Sequence, residues 1–255
     1  MCFPFPFLFL TPPPPPPLPL PLCGVVTHSN NQRTNSYMLL EYVPGGSLYH
    51  RIHVPSMSGA SSAGAPGTNP LPEESARFYA ASVCLALGFM HSRGVVWRNC
   101  CPENILLDAE GYVRLVDFET AKAVPSGEHT HTLCGCASYL APEMLLCKGH
   151  RAGVDWWAFG VLIFETLTGH TPFEDLPLKR NDIVMRNIVR GAYTLPNDLP
   201  EFSPDLLDRL LTPHPSKRLG CQVDRWLHSV LLLVHNCQPC WMAIFFLFPL
   251  PRIKT

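Results

Sequence analysis

One segment constrains the fold more than any other. Val154–Leu167, VDWWAFGVLIFETL, is apolar nearly all round. A helix without a polar face has no stable place on a surface, so it belongs at the centre of a domain, covered by other elements. It is also shorter than the ~20 residues a membrane-spanning helix needs. The chain has 255 residues, enough to bury such an axis within one large domain.

The covering elements can be read on either side of it. YMLLEYV, Tyr37–Val43, has strand character and ends at the turn signal Pro44-Gly45-Gly46. At most one further strand, near Gly24–Ser29, precedes it. Val54–Pro70 is a small-residue loop without periodicity. A helix then opens with Pro72 in its first turn and Glu73 and Glu74 against the positive end of its dipole. Ala76, Ala80, Val83, Leu87 and Met90 recur at three-to-four spacing, which predicts one buried face, and Gly94 ends the helix. GVVW (94–97) and YVRLVDF (112–118) read as strands. Ser203–Gly220 predicts an amphipathic helix N-capped by Ser203, then a loop.

Charge excludes some partners. Charged residues make up 15% of the chain and net charge is −1, so there is no electrostatic footprint for nucleic acid or an acidic membrane surface. Eleven scattered cysteines read as free thiols in a reducing compartment, which predicts a cytoplasmic protein. Cys237 and Cys240 form a lone CxxC without a partner pair at zinc spacing. Residues 1–23 are apolar and then proline-rich. No Lys or Arg precedes Arg33 and no Ala precedes Ala60, so the parts of a secretory signal are missing. Pro12–Pro17 suits polyproline II, either as a ligand for an SH3-type or WW-type groove or as a disordered tail. Residues 221–255 form an apolar tail, interrupted at His235–Pro239 into halves too short to cross a bilayer.

Seven blocks between these tails stand in order over about 180 residues: YMLLEYVPGGSL, ARFYAASVCLALGFMHSRGVV, PENILLDAEGYVRLVDF, TLCG, YLAPEM, VDWWAFGVLIFETLTGHTPF and KRLG. From Tyr37 to about Gly220 the chain resembles the AGC group of serine/threonine protein kinases, most nearly the cyclic-nucleotide-dependent branch. The resemblance implies an α+β, protein kinase-like fold over 24–220. Residues 44–220 would form the helical C-lobe, and 24–43 a remnant of the N-lobe sheet and the hinge.

It also implies roles. Leu40 would sit at the gatekeeper position, the backbone of Glu41 and Val43 would meet adenine, and Leu106 would lie under the purine. Asn104 and Asp117 match the two magnesium ligands, so ATP and Mg2+ are the implied cofactors. Glu143 and Arg218 would form a buried ion pair, and Asp155 would brace the catalytic loop. Thr132 occupies the activation-loop phosphorylation position, with Arg98 and Lys122 as partners for that phosphate. Glu103 and Glu165 fall where basophilic members hold the arginines of a peptide substrate, and Ser47 stands where a third acid is often found.

The departures concern chemistry. Where the family usually has His-Arg-Asp-Leu-Lys-Pro-Glu-Asn, this chain has Trp97-Arg98-Asn99-Cys100-Cys101-Pro102-Glu103-Asn104. An amide at 99 is no useful base at neutral pH. General-base help is worth roughly 10²–10⁴ in rate, or about 3–5 kcal/mol. Cys101 removes the cation that would neutralise the moving phosphoryl group. Cys136 replaces a substrate-pocket threonine, and Glu119 replaces the glycine after Asp117-Phe118. The 36 residues before Tyr37 spell neither GxGxxG nor a lysine strand. These departures predict a catalytically impaired, pseudokinase-like module with weak nucleotide binding. Its partners would be a kinase, a regulatory subunit, or a basic peptide acting as substrate or pseudosubstrate. The other reading is a working serine/threonine kinase whose small lobe is missing from the gene model.

Overall fold

The computed structural model of the chain describes residues 22–30, 33–54, 68–174 and 180–221. The expectations for Pro12–Pro17, for residues 55–67, for Cys237–Cys240 and for the interrupted C-terminal stretch lie outside the described residues. In chain order the elements are β1 (Leu22–Asn30), β2 (Arg33–Leu40), α1 (Leu48–His53), α2 (Glu73–Ser92), β3 (Val95–Val96), β4 (Ile105–Leu107) and β5 (Val113–Leu115). Then follow β6 (Lys122–Ala123), α3 (Pro142–Leu145), α4 (Gly153–Thr168), α5 (Asn181–Arg190) and α6 (Ser203–Leu210). The described strands pair as three two-stranded antiparallel sheets, β1 with β2, β3 with β6, and β4 with β5. Helices dominate and strands are short, which is the expected α+β arrangement.

The apolar axis is α4, and every residue from Val154 to Thr166 is buried. It packs between α2 and α6. Gly160 sets the α6 crossing, because a Cβ there would lie 2.9 Å from Leu210 Cβ and Leu211 Cδ2. Trp157 stacks flat on Phe173, ring centres 5.3 Å apart. The predicted face of α2 is inward: Ala76, Ala80, Val83, Leu87 and Met90 are all buried. Pro72 directly precedes that helix as its N-cap instead of lying within its first turn.

Three local readings are corrected. Ser203 is the first residue of α6, not its N-cap; Phe202 holds that position without a side-chain cap bond, and the Ser203 hydroxyl donates to the carbonyl of Pro200 at 2.8 Å. The strand expected through Val43 ends at Leu40, and Glu41–Val43 form the connection into the turn at Pro44-Gly45. The strand expected over 112–118 is confined to Val113–Leu115. In the β1–β2 hairpin, Tyr37, Met38, Leu39 and Leu40 are all exposed, so apolar side chains point from both of its faces. No helix among the described residues is long and apolar enough to cross a membrane.

One ion pair ties the end of the described chain to the lobe. Arg218, 1% exposed, donates from both terminal nitrogens to Glu143 at 2.7 and 2.9 Å. Its remaining hydrogens go to the carbonyls of Gly153, Thr212 and Pro213. Removing one partner of a satisfied buried pair strands the other charge. Arg218→Ala should therefore lower the unfolding free energy by about 3–5 kcal/mol in urea denaturation. Arg218→Met combined with Glu143→Leu should cost clearly less; equal costs would show that packing, not charge, accounts for the loss.

Candidate functional site

The site is built where two loops are held side by side. β3 pairs with β6, which brings the segment after Val96 alongside the segment before Lys122. Asp155, in the first turn of α4 and fully buried, accepts the backbone N–H groups of Trp97 (2.9 Å) and Arg98 (2.7 Å). Its carboxylate also meets His91 Nε2 at 2.7 Å. The Asp155 carboxylate thus holds two successive backbone N–H groups of the loop. Arg98 (φ 67°) and Asp117 (φ 57°) both adopt left-handed backbone, a conformation that costs a non-glycine residue energy unless its surroundings hold it.

Trp97 links the loops. Its indole Nε1 donates to the Asp117 carbonyl at 3.0 Å, and its ring stacks on Phe118 at 5.7 Å. The Thr120 hydroxyl donates to the Trp97 carbonyl, and Arg98 Nε donates to the Thr120 carbonyl at 2.6 Å. Sequence reading treated Trp97 only as a departure; a ring N–H at that position was the available signal for its role. Gly135, at φ 99°, approaches the same loop so closely that a Cβ would lie 2.6 Å from the Arg98 carbonyl oxygen. Asn99, Arg98, Gly135, Cys136 and Tyr139 line a small pocket there.

Asn99, Asn104 and Asp117 come together. The Asn99 amide donates to Asp117 Oδ2 at 2.7 Å, and the Asn104 amide donates to the Asn99 carbonyl at 3.0 Å. The Cys101 thiol donates to Asn99 Oδ1 at 3.8 Å. Both ends of the Asn99 amide are therefore engaged, and neither removes a proton. Cys101 is buried, and burial followed by the Glu103 carboxylate pushes its thiol well above the usual range, so it stays neutral. Among the described residues no three His, Cys, Asp or Glu groups cluster as a metal site. The oxygen donors of Asp117 and Asn104 fit a magnesium ion that keeps several waters and takes phosphate oxygens, which is how that ion is usually bound. Glu119 is exposed, and its backbone N–H donates to Asp117 Oδ1 at 3.3 Å.

The residues expected to meet a nucleotide differ in exposure. Leu40 and Glu41 are exposed, while Val43 and Leu106 are half-buried. The turn at Pro44-Gly45 is fastened to β4 by Gly45 N–H to the Leu107 carbonyl and Leu107 N–H to the Gly46 carbonyl, both 2.9 Å. Ser47 bridges to Leu106, and its hydroxyl caps α1 by accepting from His50 N–H at 3.2 Å.

The two acids expected to meet a peptide, Glu103 and Glu165, differ in setting. Glu103 is exposed, but Glu165 is buried, with the Tyr139 hydroxyl on one oxygen and His53 Nε2 on the other at 2.7 Å. Burial and Glu165 together push the Tyr139 phenol well above its ordinary range. The activation-loop expectation is also rearranged. Lys122 Nζ donates to buried Thr130 at 3.1 Å, while Thr132 is exposed and Arg98 is turned to Thr120. His53, His91 and Tyr139 carry these contacts and were not singled out from the sequence, since their partners lie 112, 64 and 26 residues away.

Residues 24–229 match the protein kinase domain. The chain belongs to the protein kinase family. It is 40% identical over 188 residues to a cAMP-dependent protein kinase catalytic subunit of Arthrobotrys oligospora, covering 73% of this chain and 33% of that protein. It is 38% identical over 184 residues to the cAMP-dependent protein kinase type 3 of Saccharomyces cerevisiae, covering 72% of this chain and 42% of the relative. The human cAMP-dependent protein kinase catalytic subunit PRKX is 37% identical over 203 residues, 76% of this chain and 51% of the relative. The kinase likeness is thus to serine/threonine kinases of the AGC type. The chain spans between a third and about half of the length of these relatives.

Two measurements test the site. Asn99→Asp sets a second carboxylate against Asp117, so the variant should lose about 1–3 kcal/mol in metal-free buffer and regain most of it with Mg2+. An unchanged denaturation curve in chelator would remove this contact from the account. Alkylation at pH 7.5, read by mass spectrometry, should modify exposed Cys23 and Cys147 before the buried cysteines of the described residues. Buried Cys84, Cys100 and Cys101, all with thiols pushed up by burial, should react only on unfolding.

Proposed function

We propose that this AGC-type kinase domain does not transfer phosphate and acts as a binding or regulatory module in phosphorylation signalling. The observation that carries the reading is the Asn99 amide, bonded to Asp117 at the position of the catalytic base. A kinase needs a group there that orients the substrate hydroxyl and accepts its proton, and cations that neutralise the transferred phosphoryl group. Asn99 offers a donor to a neighbouring acid, and Cys101 offers a neutral thiol. ATP with Mg2+ would be held weakly, through Asp117, Asn104 and the hinge backbone of Glu41 and Val43, with Leu40 and Leu106 at the base. When bound, the nucleotide would supply a phosphoryl donor that this chain's residues do not activate.

The partner surface proposed is for a protein or basic peptide, with Glu103 as the acid exposed to it. Glu165 contributes by holding Tyr139 and His53 in place. Residence in the cytoplasm belongs to the same proposal and rests on the free thiols of the chain. A second reading, a working kinase, draws on the retained Asp117–Asn104 pair and the Asp155 brace.

Incubation of the 255-residue chain with radiolabelled ATP, Mg2+ and an arginine-rich peptide should leave the peptide unlabelled. Millimolar nucleotide should shift the melting temperature little, because stabilisation grows only as RT ln(1 + [L]/Kd). Label on the peptide, lost again in Asp117→Asn, would replace this proposal with the second reading. Asn99→Asp with Cys101→Lys separates a missing base from a missing binding site: gained transfer locates the defect in these two residues.

A further inference from the structure

The stretch after β6 carries two histidines that the proposed function does not use, His129 and His131. Between them Thr130 exchanges both backbone hydrogen bonds with His150, at 3.0 and 2.8 Å, in an antiparallel bridge. Backbone paired in this way is extended, so successive side chains alternate between its faces. Burial follows that alternation: Thr130 and His150 are 2% and 3% exposed, whereas His129 and His131 are exposed. Two imidazoles at i and i+2 thus leave one face, with their Cβ atoms about 7 Å apart. Across the bridge Gly149, at φ 77°, lets the His131 ring lie over its backbone. A Cβ there would sit 2.8 Å from Cε1 and 3.3 Å from Nε2 of that ring, and 3.2 Å from His129 Cβ. Both histidines therefore border one point of the surface. Neither ring is hydrogen-bonded or ion-paired among the described residues.

We propose that His129 and His131 chelate a late first-row divalent cation, of the nickel and zinc class, on the outer face of this segment. Neutral imidazole is a preferred ligand of these ions and binds zinc through a ring nitrogen at about 2.0–2.1 Å. The bridge to His150 already holds the backbone extended, so binding orders little beyond the two rings. Once one ring is bound, the other attacks at the high effective concentration of a short tether. That separates the pair from a lone surface histidine. No third His, Cys, Asp or Glu joins them among the described residues, so water fills the remaining positions and the ion stays open to a further ligand. Arg151 leaves the same face by the same alternation, is exposed, and opposes the cation. The affinity is therefore that of an open two-ligand site, in the micromolar range. None of these groups lies in the catalytic loop or beside Asp117, so the site is independent of whether the chain transfers phosphate.

The probe is Ni2+, because thiolate selects zinc and would draw that ion to the free cysteines. Calorimetric titration of the 255-residue chain should show a nickel site that weakens by roughly 10²-fold in His129→Asn and in His131→Asn. Both positions are exposed, so these variants keep the fold, and their far-UV circular dichroism should match the wild type. His131→Thr combined with Thr132→His keeps the number of histidines but moves one off the shared face; it should bind as weakly as the single variants. His50→Gln, at an exposed histidine of α1, should leave the titration unchanged. In ring ¹⁵N spectra of histidine-labelled protein, paramagnetic Ni2+ should broaden two signals together at one ion concentration. These are the signals missing from His129→Asn and His131→Asn. Wild-type affinity in either single variant or in the displaced-histidine variant overturns the chelate. So does broadening of one ring without the other, or an equal loss in His50→Gln.

Discussion

The site depends on a carboxylate that never meets solvent. Asp155 sits in the first turn of α4 with no exposed surface, and it accepts the N–H groups of two successive residues, Trp97 and Arg98. Burying a charge is costly unless its hydrogen bonds are made, and here the donors come from backbone and from His91. Two successive N–H groups can point at one carboxylate because Arg98 turns into left-handed backbone. Backbone donors do not depend on side-chain identity. The loop is therefore oriented by the central helix whatever residue stands at 99.

Trp97 extends that brace across the site. Its N–H fixes the Asp117 carbonyl, its ring packs on Phe118, and Thr120 returns a bond to its own carbonyl. The two loops behave as one body, which is how Asn99, Asn104 and Asp117 arrive within bonding distance. A framework held this way tolerates a change of chemistry at its centre, because the residues that position the site are different from those that would react.

The parts of the fold legible in sequence were those with a period or a boundary signal. α4 is apolar all round and α2 has one apolar face, so burial followed directly from pattern. α1 has six residues and α5 buries only Val184 and Ile188, too little periodicity to stand out, and both form because the lobe packs against them. Ser203 looked like a cap by residue type, but its hydroxyl found the Pro200 carbonyl first. In the site, the blocks around 99–104 and 117 were visible as motifs. Their pairings were not: Lys122 with Thr130, Glu165 with Tyr139 and His53, and Asn99 with Asp117 are tertiary contacts that no local spacing encodes.

The two departures at the centre are physically linked. An aspartate at 99 would place a second negative charge against Asp117, a repulsion that a lysine at 101 and a bound metal would offset. With a neutral thiol at 101, one of those cations is gone, and the acid would be left poorly compensated in a partly buried site. An amide at 99 turns the repulsion into a hydrogen bond of 2.7 Å and lets the Cys101 thiol donate to its other end. The amide at 99 and the thiol at 101 thus suit each other, since one bonds Asp117 and the other bonds the amide. Restoring the acid alone would reintroduce the strain without the cation, so the two positions have to be considered together.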